Sequence, residues 1–137
     1  MKTLVALAAL LLATAGFAAD VGSKAAAAPA PISQDALLAR QARHDATLFV
    51  LDVRTPEEYA QGHVPGAINI PHDQVGQHLK DIPKDKDVVM YCRSGRRVGM
   101  AAEVLAANGY RRLLHLEGDM NAWAERSRPL ETAAPKP

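Results

Sequence analysis

The chain of 137 residues contains a single cysteine, Cys92. One thiol cannot form an intramolecular disulfide, so the fold takes no stability from cross-links. Aromatic residues are also scarce: two Phe, one Trp and three Tyr. An aliphatic core must therefore carry the stability, which is feasible for a domain of about 100 residues. Excess charge of either sign is missing too. The formal net charge is +1, whereas binding to nucleic acid or a membrane surface calls for a basic excess. Neither is expected as a partner of the mature chain, and any electropositive site must be local. The histidines show no metal-ligand spacing such as His-x-x-x-His, and no metal is expected.

What is present begins with a leader. Residues 1–20 read MKTLVALAALLLATAGFAAD. Lys2 supplies a positive n-region, Leu4 to Ala15 an apolar stretch too short to span a bilayer, and small residues precede Asp20. This is the layout of a cleavable signal peptide, so a periplasmic or secreted location is expected; a retained N-terminal anchor is the alternative. Gly16 and Ala18 fit the −3 and −1 positions for a cut after Ala18, whereas a cut after Ala19 would put bulky Phe17 at −3. Removing residues 1–18 takes away Lys2 and no acid, which balances the basic and acidic counts. After the signal, residues 19–31 form an Ala/Pro-rich linker without amphipathic period, and 131–137 read as a disordered tail. One domain is expected between them, over residues 32–130.

Within that domain, strand and helix signals alternate. SQDALLARQAR is a helix with Ser33 as its cap, and TLFVLDV is an apolar run of strand length. TPEEYAQG is a compact helix with Thr55 at the N-cap, Pro56 at the first helical position and Gly62 past the end. GAINIP offers a short strand, DQVGQHL a weak helix with Asp73 as a possible cap, and DVVMYC a second buried strand. RRVGMAAEVLAANG is a helix ended by Asn108-Gly109, with Val98, Ala101, Ala102 and Leu105 at packing spacing. RLLHLE is a further strand and DMNAWAER a last helix. The alternation predicts an α/β fold with a largely parallel central sheet flanked by helices. Ligands of such sheets sit beyond the carboxyl ends of the strands, where Cys92 lies.

The stretch CRSGRR joins a buried strand to a helix N-terminus. Such an end carries partial positive charge and unpaired amides, and a curled loop turns successive amides into an anion-binding nest. Gly95 permits the positive φ of such a curl. Helix N-termini and neighbouring cations favour the thiolate, which is the nucleophilic form of cysteine. Arg93, Arg96 and Arg97 would draw in an anionic substrate, although Arg96 also fits a solvated helix face. The plainer alternative is an inert cysteine packed as a small hydrophobe.

These residues resemble the rhodanese-like sulfurtransferases, the thiosulfate sulfurtransferase family. LDVRTPEEYAQGHVPGAINIP at 51–71 is similar to its signature, YCRSGRR to its active-site loop, and LEGDMNAW to its closing Gly-Gly-x-x-Ala-Trp motif. The likeness covers roughly Ile32 to Leu130. It departs at Asp119, where the family often has a second glycine; Asp119 is expected to cap the last helix. The resemblance implies a rhodanese-like three-layer fold and a persulfide reaction. Cys92 would take the outer sulfur of a small anionic donor such as thiosulfate. A cyanide or thiol acceptor would then remove it, with Ser94, Gly95 and the three arginines binding substrate and no cofactor required. The same fold also hosts phosphatases, whose loop has five residues between Cys and Arg. Four separate Cys92 from Arg97 here, which favours a single sulfur over a phosphate. A module that senses persulfide or binds a protein without turnover is the rival of another class.

Asp52, at the end of a buried strand, is expected to brace the cysteine loop by accepting its hydrogen bonds, or to pair with Arg54 or another arginine. Arg54 is expected to pair with Glu57 or Glu58. His63 reads as a structural histidine and Trp123 as a core anchor. The lone thiol, taken as exposed, leaves an intermolecular disulfide open. For the leader, N-terminal sequencing of exported protein should find Ala19 as the first residue; an intact Met1 would establish a retained leader.

Overall fold

The structure, a computed structural model, describes residues 28–133. The expected signal at 1–18, most of the expected linker and residues 134–137 of the expected tail lie outside the described residues. Five strands form one sheet: β1 (Ala30–Ile32), β2 (Leu48–Asp52), β3 (Ile68–Asn69), β4 (Asp87–Tyr91) and β5 (Leu113–Leu116). Their order is β1-β5-β4-β2-β3, and every pairing is parallel. The two strands built on unbroken apolar runs, residues 48–51 of β2 and 88–91 of β4, are neighbours at its centre, as a strand covered on both faces must be.

Four helices cover it: α1 (Gln34–Ala42), α2 (Pro56–Gln61), α3 (Arg96–Ala107) and α4 (Asp119–Glu125). Strand alternation sorts the core into two layers. Leu51, Val88, Met90 and Cys92 join Val98, Ala101, Ala102 and Leu105 of α3 on one face. On the other face Val50, Val89 and Tyr91 join Leu37 of α1 and Trp123 of α4, with Tyr59 of α2 packed against them. The result is the three-layer α/β arrangement.

Local chemistry sets the helix starts. Ser33 Oγ accepts the Ala36 N–H at 3.1 Å, and Thr55 Oγ1 accepts the Glu58 N–H at 3.2 Å ahead of Pro56. DQVGQHL departs from expectation. It forms two short 3-10 turns, Val75–Gln77 and Leu79–Asp81, and Asp73 caps neither. With no side-chain cap and Gly76 in its middle, the segment lacks what a short α-helix needs. The expected bounds at 32 and 130 also move outward. Ala30 and Pro31 pair with Leu114 and His115, an edge position that tolerates proline. Glu131 makes an antiparallel bridge to His63, so the chain's ordered pairing continues past Leu130.

One buried network ties the carboxyl ends of β2 and β4 together. Asp52 and Tyr91 are each 0 % exposed. Asp52 accepts from the Arg54 backbone N–H at 2.9 Å, from Arg54 Nη2 at 2.7 Å and from the Tyr91 hydroxyl at 2.7 Å. Arg54 Nη2 also donates to the Gly62 carbonyl at 2.8 Å, and the Tyr91 oxygen accepts the Val64 N–H at 3.0 Å. Burial and the negative Asp52 hold the Tyr91 hydroxyl above its ordinary pKa, so it remains a neutral donor. Arg54 therefore pairs with Asp52 at the strand end and not with Glu57 or Glu58. Tyr91→Phe strips Asp52 and the Val64 amide of a partner at once. Urea unfolding should show a loss of about 1–3 kcal/mol with an unchanged m-value.

Candidate active site

β4 delivers the cysteine directly. Its alternation places Cys92 on the α3 side of the sheet, in phase with Val88 and Met90, while Tyr91 faces the other way to meet Asp52. The chain then turns through Arg93, Ser94 and Gly95 into α3. Gly95 sits at the N-cap with φ 109° and ψ −19°, a left-handed conformation suited to glycine, and no side chain caps the helix. The N-cap residue's own amide serves the sulfur. Gly95 N–H donates to Cys92 Sγ at 2.9 Å, an arrangement that favours negative charge on sulfur. Among the described residues it is the loop amide that hydrogen-bonds to Sγ, where the sequence leads one to expect several.

Cys92 is 1 % exposed. Reactive cysteines are usually partly open, and such burial alone would equally suit an inert core thiol. The Gly95 donor and the strand-to-helix position are the features that an inert core thiol would not require. Burial also corrects the expectation of an exposed thiol free to form an intermolecular disulfide.

The three arginines divide their labour. Arg97 forks onto Glu58, Nη1 to Oε1 at 2.9 Å and Nη2 to Oε2 at 3.0 Å, which ties α2 to the start of α3. Glu58, and to a lesser extent Cys92, holds the Arg97 guanidinium above its ordinary pKa; reciprocally, Arg97 lowers that of Glu58. Its charge is thus largely spent inside the protein, and the expectation of Arg97 as an anion hook narrows accordingly. Arg93, Ser94 and Arg96 are exposed, and neither of these arginines has a carboxylate partner among the described residues. Arg93 lines a cleft of about 410 Å³ with Gly62, Met120, Asn121, Ala124 and Leu130.

Asp52 does not brace the loop: its carboxylate is taken up by Arg54 and Tyr91. The carboxylate that does is Asp119, whose Oδ1 accepts the Cys92 N–H at 3.0 Å. Asp119 is not the cap of α4 either. Gly118 occupies that position, and Asp119, at φ 52°, turns its side chain back toward the loop and onto His115 Nε2 at 2.9 and 3.0 Å. The start of α4 adds two backbone bonds, Met120 N–H to the Cys92 carbonyl at 3.0 Å and Asn121 N–H to the Arg93 carbonyl at 3.2 Å. The i, i+4 spacing of His115 and Asp119, together with an acid replacing a family glycine, was the available signal for this pair. His63 stacks on Tyr59 with ring centroids 3.6 Å apart, and Trp123 is fully buried with Nε1 donating to the Pro129 carbonyl.

Comparison with known proteins agrees with this geometry. The profile of the rhodanese-like domain matches residues 33–126. A protein of Allochromatium vinosum named "Sulfurtransferase" is 42% identical over 99 residues, covering 72% of this chain and 92% of that protein. The Escherichia coli "Thiosulfate sulfurtransferase PspE" is 47% identical over 62 residues, 44% of this chain and 60% of that protein. A crystal structure of a rhodanese-like domain protein from Staphylococcus aureus superimposes with a TM-score of 0.67 at 31% identity, covering 77% of this chain and 99% of that one.

A Cβ on Gly95 would lie 3.1 Å from both Asp119 Oδ2 and His115 Cε1, in a strained backbone conformation. Gly95→Ala should cost about 1–3 kcal/mol by urea unfolding, with slower alkylation of Cys92. Asp119 raises the pKa of His115 from its ordinary 6.5. The stability contributed by this pair is complete below that ordinary value and is lost as pH rises through the raised one. An NMR titration of the His115 ring should place its midpoint above 6.5 in the wild type and nearer to it in Asp119→Asn.

Proposed function

The chain belongs to the rhodanese-like family, and from that premise we propose that it is a sulfurtransferase carrying sulfane sulfur as a persulfide on Cys92. The observation that carries this reading is the Gly95 amide aimed at Sγ at 2.9 Å, in a loop where a buried strand ends and α3 begins. An amide donor held there by the fold stabilises charge on the reacting sulfur without reorganising during the reaction.

The proposed first step is attack of the Cys92 thiolate on the outer sulfur of thiosulfate or a similar donor. A Cys92 S–S bond forms, the donor's own S–S bond breaks, and sulfite leaves with the electron pair. The persulfide anion keeps the single negative charge the thiolate had. In the second step cyanide or a thiol attacks the terminal sulfur and the Cys92 thiolate is regenerated; with cyanide the product is thiocyanate. Such double displacement gives ping-pong kinetics. Arg93, uncompensated and lining the cleft, is assigned to draw in the anionic donor, with the exposed Ser94 and Arg96 as further donor-binding residues and Gly95 at the sulfur. Arg97 is assigned to hold α2 against the loop through Glu58. The names of the two similar sulfurtransferases support the reaction class.

Sulfur transfer is favoured over phosphoryl transfer by the length of the loop. Four residues separate Cys92 from Arg97, which suits a single sulfur better than a phosphate, and Arg97 is already forked onto Glu58. The apolar leader supports the further proposal that the protein works in the periplasm or outside the cell.

Thiosulfate and cyanide should yield thiocyanate with parallel double-reciprocal plots, and thiosulfate alone should add the mass of one sulfur atom to the protein. Cys92→Ser should abolish both. Absence of turnover and of the adduct would overturn the enzyme reading; an adduct without turnover would indicate a sulfur-binding sensor. Arg93→Ala should raise KM for thiosulfate by about five- to tenfold and change kcat by less than about twofold, the pattern of lost uniform binding.

A further inference from the structure

Asp119 is buried, charged and bonded to the nucleophile's own backbone, yet the reaction written above does not use it. It is 3 % exposed and adopts φ 52°, a conformation that few residues other than glycine, asparagine and aspartate enter. It is held there by the Cys92 N–H at 3.0 Å and by His115 Nε2 at 2.9 and 3.0 Å. The position of a Cβ built on Gly95, 3.1 Å from both side chains, shows that the pair closes directly against the turn of the loop.

A carboxylate in this position has two opposed effects. Accepting the Cys92 N–H fixes the backbone from which the sulfur projects. Its negative charge, however, opposes the negative charge that a thiolate or persulfide must carry. The His115 imidazolium removes that conflict, since it neutralises the carboxylate without competing for the Cys92 amide. His115 is suited to this part: its neighbours across the sheet, Pro31 and Met90, carry no charge, and Asp119 is the group that raises its pKa.

We propose that Asp119 and His115 are positioning residues for Cys92, the carboxylate anchoring the loop and the imidazolium cancelling the charge the anchor brings. The proposal rests on Cys92 being the nucleophile, but its test needs no sulfur donor. The chain has one cysteine, so the thiolate can be read directly from its ultraviolet absorbance by difference against Cys92→Ser. Three variants are compared at a pH of about 6.5, where a histidine with an ordinary pKa is half protonated. His115→Gln leaves the anchor's charge uncancelled, and the thiolate fraction should fall by about fivefold. Asp119→Asn keeps a carbonyl acceptor for the Cys92 amide and removes the charge, so its thiolate fraction should exceed that of His115→Gln by about fivefold. The double variant should recover the level of Asp119→Asn. Recovery by a second substitution is what a merely structural pair would not produce.

A His115→Gln thiolate fraction equal to wild type, or a double variant no better than His115→Gln, would overturn the proposal. Should His115→Gln fail to fold by circular dichroism, His115→Asn takes its place in the same comparison. Thiocyanate formation is measured on the same samples. Absence of transfer in a wild type that shows the expected thiolate pattern would refute the sulfurtransferase reading and leave the positioning pair standing.

Discussion

The buried ion pair between Asp52 and Arg54 is the constraint on which the rest of the site depends. Two charges inside a protein are tolerated only when their hydrogen-bonding capacity is filled, and removing either partner leaves the other stranded. Here Asp52 accepts from the Arg54 backbone, the Arg54 guanidinium and the Tyr91 hydroxyl, and the guanidinium also reaches the Gly62 carbonyl. Those partners belong to the end of β2, the turn closing α2 and the residue that precedes Cys92. Cys92 inherits its position from a network it does not touch. Arg54 lines the cleft, but its charge is already answered from within.

Charge around the loop is arranged so that little of it is left free. Arg97 is answered by Glu58, Asp119 is hydrogen-bonded to His115, and each pair also joins two elements. The first pair links α3 to α2; the second links α4 to β5. The arginines beside Cys92 left without a carboxylate partner among the described residues are Arg93 and, at the start of α3, Arg96. A chain with a formal net charge of only +1 can thus leave Arg93 and Arg96 uncompensated beside Cys92, because the neighbouring cations and anions are consumed in pairs.

Much of this was legible in the residues because its causes are local. Apolar runs give β2 and β4, Thr55, Pro56 and Gly62 bracket α2, and Gly95 marks the left-handed turn before α3. Three features were not legible, each for a tertiary reason. β1 is three residues of an Ala/Pro stretch and becomes a strand only because β5 offers an unpaired edge. Arg54 looked placed for an acid one turn along α2, but it stands before the helix, where Asp52 is nearer. Asp119 resembled a cap because an acid before a helix commonly is one. Its actual partner, the Cys92 amide, is 27 residues away in sequence.

The burial of the sulfur sets a size limit on what can reach it. Joining two protein cysteines needs their Cα atoms within about 7 Å, an approach that another folded chain cannot make to an atom on the floor of a loop. A reagent whose reactive sulfur stands at the tip of a small ion meets no such obstruction. The loop therefore works as a sieve as well as a cradle. In the proposed reaction that difference sets a small donor apart from another protein's cysteine.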